Sequence, residues 1–341
     1  MKKVKKKYNL YIGSYSGSTL TFHPVIIHDS LAGSEIWVKL AEEPRTFTNG
    51  YGTQTEAVST YFHSDSGMEV RLVSGEARLA AIRHLYVASN GHDDSSADGT
   101  EAKPYASIAH AIQQLNNNEI DATIYVVDEV LCNTTIVNGG ASGGQPLVAN
   151  SLVIEGTGTD SALNGNANGS VLELKTSVPV TINNLTIKNG SSSTYGGGLY
   201  INGAAVEINN CIIEDNKAVT QGGGVYVAAS SSLIMNGSDS LIRNNRVVGD
   251  RNNPSPVTPE TKKGGGGVFI AEGGSFTMNA GTIRGNGTTD SGGGLYIRGN
   301  FTMESGTITS NKNYSYNSDQ TTLDSNFSDS IKTDNVEIGI P

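Results

Sequence analysis

The feature that most constrains this chain is a six-residue pattern that returns four times. Each copy has three glycines followed by an aromatic residue between two aliphatic ones, and the copies begin at Gly196, Gly222, Gly265 and Gly292. They lie 26, 43 and 27 residues apart, so the middle interval is one ordinary unit plus an insertion of about 16 residues. Residues 248–263, which contain three prolines, are the natural place for that insertion. A fixed period of this length is typical of repeat proteins whose units stack on their neighbours.

Two more short apolar stretches occur within each unit. One has two apolar residues separated by one position, and its copies are Val206/Ile208, Leu233/Met235, Phe276/Met278 and Phe301/Met303. The other places an isoleucine three residues before an asparagine, at Asn216, Asn245, Asn286 and Asn311, with an earlier copy at 185–189 whose register slips by one residue. Three short strands per 25–27 residues, each ended by Gly or Asn, predict one coil of a parallel β-helix.

The abundance of glycine and asparagine agrees with this geometry. The chain has 42 glycines and 32 asparagines, and both residue types accept the positive φ that sharp corners require. Asparagines stacked at the strand spacing of about 4.8 Å can also bond to one another along the ladder. Both ends of such a solenoid need a cover. Residues 105–115 predict a capping helix, because Ile108, Ala111, Ile112 and Leu115 recur there at helical spacing.

Composition excludes several classes of protein. Because the chain has no stretch of 18 apolar residues, we expect no membrane span. The net charge is −10 although five of the first seven residues are lysines, so the acidic remainder argues against nucleic acid as a partner. The segment after those lysines is too short and polar for a signal-peptide core, and we interpret the lysines as a solvated tail. Cys132 and Cys211 share no motif, so we expect two small core residues and no cofactor.

The sequence predicts an all-β chain of three parts. Residues 1–85 hold the only Trp and read as short alternating strands, which favours a small β-sandwich of immunoglobulin-like type. Residues 86–311 form the parallel β-helix with its capping helix. Residues 312–341 form a C-terminal cap or tail.

Two features resemble known families. The stretch Tyr86-Val-Ala-Ser-Asn-Gly91, followed by Asp98-Gly-Thr100 and residues 103–108, is similar to the start of pectin-lyase-like right-handed parallel β-helices. The triple-glycine repeat resembles the repeats of polymorphic outer-membrane and adhesin-like surface proteins of bacteria. Together the resemblance covers about 86–311 and implies a right-handed solenoid that is secreted or exposed at the cell surface.

The sequence is compatible with three functions. Pectin-lyase-like proteins often cleave polysaccharides, but all six histidines precede the first full coil and the paired-Asp and Gly-His-Gly signatures of polygalacturonase-like hydrolases are absent. We therefore favour a non-catalytic adhesin or binding scaffold whose partner is a host or cell-surface glycan or protein. The alternatives are a polysaccharide lyase, hydrolase or tailspike-like depolymerase, and a self-assembling fibre subunit or other homo-oligomer.

The candidate contact residues fall into three groups. The aromatic column is expected to turn its rings outward, because its aliphatic neighbours alternate inward; its members are Tyr200, Tyr226, Phe269 and Tyr296. Such rings could bind sugar faces or a partner chain, but we favour a structural aromatic ladder of cross-strand pairs. The charged column could grip an acidic sugar or could be a solvated ladder pair; its members are Glu214, Arg243 and Arg284. The insertion 248–263 offers Asp250 and Arg251. Asp93, Asp94 and Asp98 could suggest Ca²⁺, but their spacing matches no EF-hand, so we expect them to cap turns and the helix start.

Overall fold

The computed structural model describes residues 76–115, 121–139, 141–249 and 264–316, and outside these ranges only the separate strands given below. The chain divides into two compact units, one of residues 1–83 with 118–121 and one of residues 84–117 with 122–341. The second unit contains the repeats and is a right-handed parallel β-helix, as the period of the triple glycines predicts.

The described residues of the second unit form four long sheets, and we number them in the order in which the chain visits them after each triple glycine. Sheet 1 contains Thr134–Asn138, Gln145–Leu147, Leu172–Lys175, Leu199–Ile201, Val225–Val227, Val268–Ile270, Leu295–Ile297 and Ile331–Thr333. Sheet 2 contains the end of Glu76–Val87, then Asp121–Val126, Ser151–Gly156, Val180–Asn183, Ala205–Asn209, Ser232–Asn236, Ser275–Met278 and Asn300–Met303. Sheet 3 contains Glu129–Leu131, Ala162–Asn164, Thr186–Lys188, Ile212–Glu214, Leu241–Arg243, Thr282–Arg284 and Thr307–Thr309. Sheet 4 contains Ser191–Ser192, Lys217–Ala218, Arg246–Val247, Gly287–Thr288 and Lys312–Tyr316, with Leu323–Phe327 pairing antiparallel at its end.

The core is a stack of aliphatic side chains that point inward from the sheets. In sheet 1 the two aliphatic residues of each repeat, such as Leu199 and Ile201, have no solvent exposure. Met235 and Met278 are buried as predicted, whereas Met303 near the last coil is partly exposed. Both cysteines are buried and free, which confirms that they are small core residues. Because no coil can bury its apolar side chains alone, the coils stabilise one another.

The triple glycines let successive coils approach closely. Gly196 has φ +57°, which the sharp corner requires. A Cβ atom on Gly197 would lie 2.4 Å from the carbonyl oxygen of Lys217 and 2.6 Å from that of Gly223, both in the next coil. The backbone of the following coil therefore occupies the space that any larger residue would need.

Two asparagine ladders join the coils, and the repeat predicts the buried one. In the buried one, each side-chain Nδ2 donates to the Oδ1 of the next asparagine at 3.0 Å, and its members are Asn216, Asn245, Asn286 and Asn311. The more exposed one follows the end of the sheet 2 strands, and its members are Asn183, Asn209, Asn236 and Asn279. The buried ladder satisfies polar groups that the corners would otherwise leave without partners.

The predicted capping helix is present and spans Ile108–Gln113, which is shorter than the expected 105–115. Its start is fixed by Asp93, whose carboxylate accepts bonds from the backbone N–H of Ala106 and of Ser107 at 2.8 and 3.2 Å. The apolar face of the helix is buried, with Ile108 and Ile112 fully covered. Asp93 therefore acts at the helix start, as expected from the sequence.

The register confirms the position of the insertion. Tyr226 pairs with Phe269 and Val225 with Val268 across the interval of 43 residues, so the coils on either side are direct neighbours. Gly264 already pairs with Gln221 of the preceding coil and with Ser291 of the next. Asp250 and Arg251 lie outside the described residues.

The first unit shows separate short strands. Leu10–Ile12 pairs with Ile36–Leu40, Ile36–Leu40 with Phe62–His63, and Val25–Ile26 with Thr48–Asn49, all in parallel, whereas Arg45–Thr46 and Met68–Val73 run antiparallel to Glu76–Val87. An immunoglobulin-like sandwich pairs its strands antiparallel, and the three parallel pairs do not have that pattern. The sandwich for 1–85 and the cap or tail for 312–341 stay predictions.

Candidate functional site

Three partly exposed tyrosines form one stacked group on the outer side of sheet 1, which we call the tyrosine surface: Tyr195, Tyr200 and Tyr226. The rings of Tyr195 and Tyr226 stack with centroids 4.6 Å apart, and Tyr200 lies 5.5 Å from Tyr226. The strand places Tyr200 and Tyr226 in register on adjacent coils. Tyr195 comes from the loop before the triple glycine, where the other repeats have Gln221, Gly264 or Ser291. The repeat alone could not reveal Tyr195, because no other unit has an aromatic residue there.

The aromatic column continues beyond the tyrosine surface but loses its exposure. Phe269 stacks on Tyr226 with centroids 5.4 Å apart, and Tyr296 stacks on Phe269 at 5.1 Å. Phe269 is 1% exposed and Tyr296 is 0% exposed. The rings of these two residues are therefore not exposed, since alternation along a strand fixes the direction of a side chain and not what packs over it. Only the end of the column nearest the helix cap can contact a ligand.

Polar side chains border the tyrosine surface on the neighbouring coil. Lys175 Nζ lies 5.5 Å from the centroid of the Tyr200 ring and 2.5 Å from Glu173 Oε2. Asn202 donates from Nδ2 to the Tyr200 hydroxyl at 3.3 Å. Burial raises the pKa of Tyr226 to about 12 and also raises the pKa of Tyr200, so both phenols keep their protons at neutral pH. The surface thus combines flat rings with hydrogen-bond donors and acceptors at their edges.

The charged column is brought together as predicted, but its members are partly neutralised within the chain. Glu214 and Arg243 are in register, and the Arg243 guanidinium contacts Glu214 Oε2 through Nε and Nη2, each at 2.6 Å. Arg284 is in register with Arg243 on the next coil and is exposed. The pair Glu214–Arg243 is therefore an intramolecular ion pair in this structure.

An acidic cleft of about 470 Å³ lies beside the first strands of sheet 3. Its charged lining residues are Asp128, Glu129, Asp160, Lys188 and Glu214. Lys188 Nζ lies 2.6 Å from Glu129 Oε2, and the Asn164 amide donates to Glu129 Oε1. These two bonds hold the pKa of Glu129 below its ordinary value. Asp128 accepts bonds from the backbone N–H and the hydroxyl of Ser89, both at 2.7 Å.

Sequence reasoning missed most residues of this cleft. Asp128, Glu129 and Asp160 precede the first triple glycine, so comparison of the four repeats could not align them. Lys188 was detectable, because it lies 26 residues before Glu214 and pairs with it. A neighbouring cleft of about 520 Å³ is lined largely by backbone and small side chains, including Ser161, Asn184 and Asn210.

The early aspartates build turns. Asp94 accepts from the backbone N–H of Ser96 at 2.8 Å, and Asp98 accepts from the Thr100 hydroxyl at 2.7 Å. These bonds lower the pKa of both carboxyls. Within the described ranges no three His, Cys, Asp or Glu side chains are grouped as a metal ion would need. Among the same residues, no helix has the length and apolar character to cross a membrane.

Comparisons with known protein families, with curated proteins and with solved structures find no match for this chain. The fold and the two surfaces, the tyrosine surface on sheet 1 and the charged face of sheet 3, therefore carry the functional argument.

Proposed function

We propose that this chain is a non-catalytic, adhesin-like binding scaffold of the extracellular space or the cell surface, and that it holds a glycan on the tyrosine surface. The observation that carries the proposal is the group of partly exposed rings in contact at Tyr195, Tyr200 and Tyr226, bordered by polar side chains. The resemblance of the repeats to adhesin-like surface proteins and of residues 86–108 to pectin-lyase-like solenoids supports the same assignment.

The chemistry of the tyrosine surface suits a sugar ring. An aromatic face packs against the flat C–H face of a pyranose, while the polar edge of tyrosine remains available for hydrogen bonds. Lys175 offers ammonium donors, Glu173 offers carboxylate acceptors, and Asn202 offers both. Tyr200 and Tyr226 are fixed on strands and the three rings are in mutual contact, so little side-chain freedom is lost on binding.

Glu129 of the acidic cleft is not suited to donate the proton that glycoside hydrolysis requires. Glycoside hydrolases need one carboxyl whose pKa is raised so that it can donate a proton. The pKa of Glu129 is shifted the opposite way, because Lys188 and Asn164 stabilise its ionised form. Glu129 is therefore suited to accept hydrogen bonds rather than to serve as a general acid.

A glycan array tests this proposal. We expect the intact chain to bind a subset of glycans, Tyr226→Ala to lose about tenfold in affinity, and Tyr226→Phe to keep most of it, since stacking of the ring contributes about 0.5–1.5 kcal/mol. Tyr86→Ala is the matched control, because Tyr86 is a partly exposed tyrosine stacked on Tyr125 at 4.8 Å on sheet 2.

Three outcomes would contradict the proposal. Equal binding by Tyr226→Ala and the intact chain would remove the tyrosine surface from the contact. Binding to matrix proteins and to no glycan would make the partner a protein. Release of reducing or unsaturated ends from a bound polysaccharide would make the chain an enzyme.

A further inference from the structure

The charges on the outer side of sheet 3 are sorted along the solenoid. The first two of its seven strands lie beside the carboxylates of Asp128, Glu129 and Asp160. The fifth and sixth strands carry Arg243 and Arg284 in register. One face of the solenoid therefore has an acidic end and a basic end.

Strands of sheet 3 that lie equally far from its middle have charges of opposite sign on or beside them. In the middle of the sheet, Lys188 of strand 3 is in register with Glu214 of strand 4. Moving outward from that pair, strand 2 has Asn164 with Asp160 just before the strand, and strand 5 has Arg243. Strand 1 then has Glu129, and strand 6 has Arg284. A second copy placed against this face with its coils running the opposite way would set Glu129 against Arg284 and Lys188 against Glu214, and would set Arg243 against the neutral Asn164.

The positions along the strands also agree. Glu129 is the first residue of its strand, but its carboxylate contacts the Asn164 amide and Lys188 Nζ, which both belong to the third position. Arg284 is at the third position as well. The carboxylate of Glu129 and the Cα atom of Arg284 therefore lie in one column of the sheet, five strands apart, or about 24 Å at the usual strand spacing.

The first positions of the strands form a neighbouring column on the same face, and its small residues would meet its large residues in the second copy. Its second to fifth members are Ala162, Thr186, Ile212 and Leu241. In the same antiparallel arrangement, Leu241 of one copy lies over Ala162 of the other, a small residue that lines the acidic cleft and is 3% exposed, and Ile212 faces Thr186. Ile212 and Leu241 are partly exposed, so the contact would cover apolar surface.

The ionic groups needed are accessible. The side chains of Lys188 and Glu129 are 26% and 44% exposed although they pair with each other. Arg284 and Asp160 are exposed and make no ion pair within the described residues. Exposed pairs of this kind contribute little singly, so complementary charge at several strands is what would orient a partner.

We propose that two copies of this chain associate face to face through sheet 3, with their coils antiparallel, so that Glu129 of each copy meets Arg284 of the other. The contact is isologous, so both ion pairs form together and the assembly closes as a dimer instead of growing into a fibre. It uses sheet 3 and not sheet 1, so it does not depend on the proposed glycan binding.

Sedimentation velocity of the full chain tests the dimer. We expect a monomer–dimer equilibrium at about 0.1 M salt that weakens at about 1 M, where the screening length falls from about 10 Å to about 3 Å. Arg284→Glu and Glu129→Lys should each raise the dimer dissociation constant at least tenfold, because each sets like charges against each other in both contacts. Lys103→Glu is the matched control, since Lys103 is an exposed lysine in the loop before the capping helix.

Mixing the two variants gives the decisive result. An Arg284→Glu chain and a Glu129→Lys chain should form a heterodimer, because both contacts then join opposite charges. This recovery also shows that neither variant is misfolded. If Glu129→Lys does not fold, Glu129→Gln removes the charge without adding repulsion and should still weaken the dimer.

Three outcomes would overturn the proposal: an intact chain that stays monomeric at every concentration and salt, dimers unchanged by both substitutions, or a mixture that stays monomeric while each variant folds. Tyr226→Ala should dimerise like the intact chain, so a failure of glycan binding and a failure of dimerisation are distinguishable.

Discussion

At the scale of single residues, the buried asparagine ladder joins the coils through bonds that water cannot replace. Asn245 Oδ1 accepts from the backbone N–H and the Nδ2 of Asn216, and Asn245 Nδ2 donates to Ile213 O and to Asn286 Oδ1. Asn245→Ala leaves buried donors and acceptors without partners, at about 1–3 kcal/mol for each group. We expect a loss of about 3 kcal/mol in the free energy of unfolding, measured by equilibrium denaturation.

The matched control is an asparagine of the other ladder. Asn279 donates from Nδ2 to Asn236 Oδ1 at 2.8 Å, but it is exposed, so water replaces the bond in the variant. Asn279→Ala should therefore cost less than about 1 kcal/mol. Equal losses for the two variants would show that a bond of the buried ladder contributes no more to stability than a bond of the exposed ladder.

The same residues show how far the sequence can be read. An asparagine that returns three residues after an isoleucine in four units predicts a ladder, and the ladder is present. The burial of Phe269 and Tyr296 was not predictable, because the repeat describes the coil and not what packs over it. Tyr195 and Glu129 were missed since each occurs once, and a single occurrence gives a repeat comparison nothing to align.

At the scale of elements, the capping helix protects the first coils. Ile108 and Ile112 are fully buried, and Gln113 donates from Nε2 to Gln145 Oε1 in sheet 1 at 2.7 Å. Ile112→Ala should lower stability by about 2–5 kcal/mol through the cavity it leaves. Since coils are stabilised by their neighbours, the loss should be local to the capped end.

Hydrogen exchange measured by mass spectrometry checks this locality. We expect faster exchange in Thr134–Asn138 of the Ile112→Ala variant and unchanged exchange in Leu295–Ile297. Glu101→Ala, at an exposed position of the loop before the helix, is the control and should leave both strands unchanged. Uniformly faster exchange would instead mean that the solenoid unfolds as one cooperative unit.

At the scale of the whole molecule, the insertion should be removable. Val248 N donates to Ala218 O and Gly264 N donates to Thr220 O, so the residues on both sides already pair with the preceding coil. When Gly249 is joined to Gly264, the segment between Val247 and Gly265 has the same length as the equivalent segment between Ala218 and Gly222. We expect the deletion of 250–263 to fold with a change in stability below about 1 kcal/mol.

Thermal unfolding and the glycan array, applied to the deletion, separate its two consequences. An unchanged unfolding midpoint with lost binding would place Asp250, Arg251 or their neighbours in the contact. An unchanged midpoint with unchanged binding would leave the tyrosine surface as the contact. A large fall in stability would contradict the register argument.

The close approach of the triple glycines has a consequence for how such a protein can change in evolution. Each triplet contacts the equivalent triplets above and below it and the corner that every unit repeats, such as Asn216 and Lys217, so a whole coil can be gained or lost without creating a new kind of contact. A fraction of a coil cannot be gained or lost in this way, because it would move larger residues to positions such as Gly197 or Gly223, where any side chain would collide with the adjacent backbone. The distance from the tyrosine surface to the C-terminal strands is thus free to vary between related molecules, but only in steps of one strand spacing, about 4.8 Å.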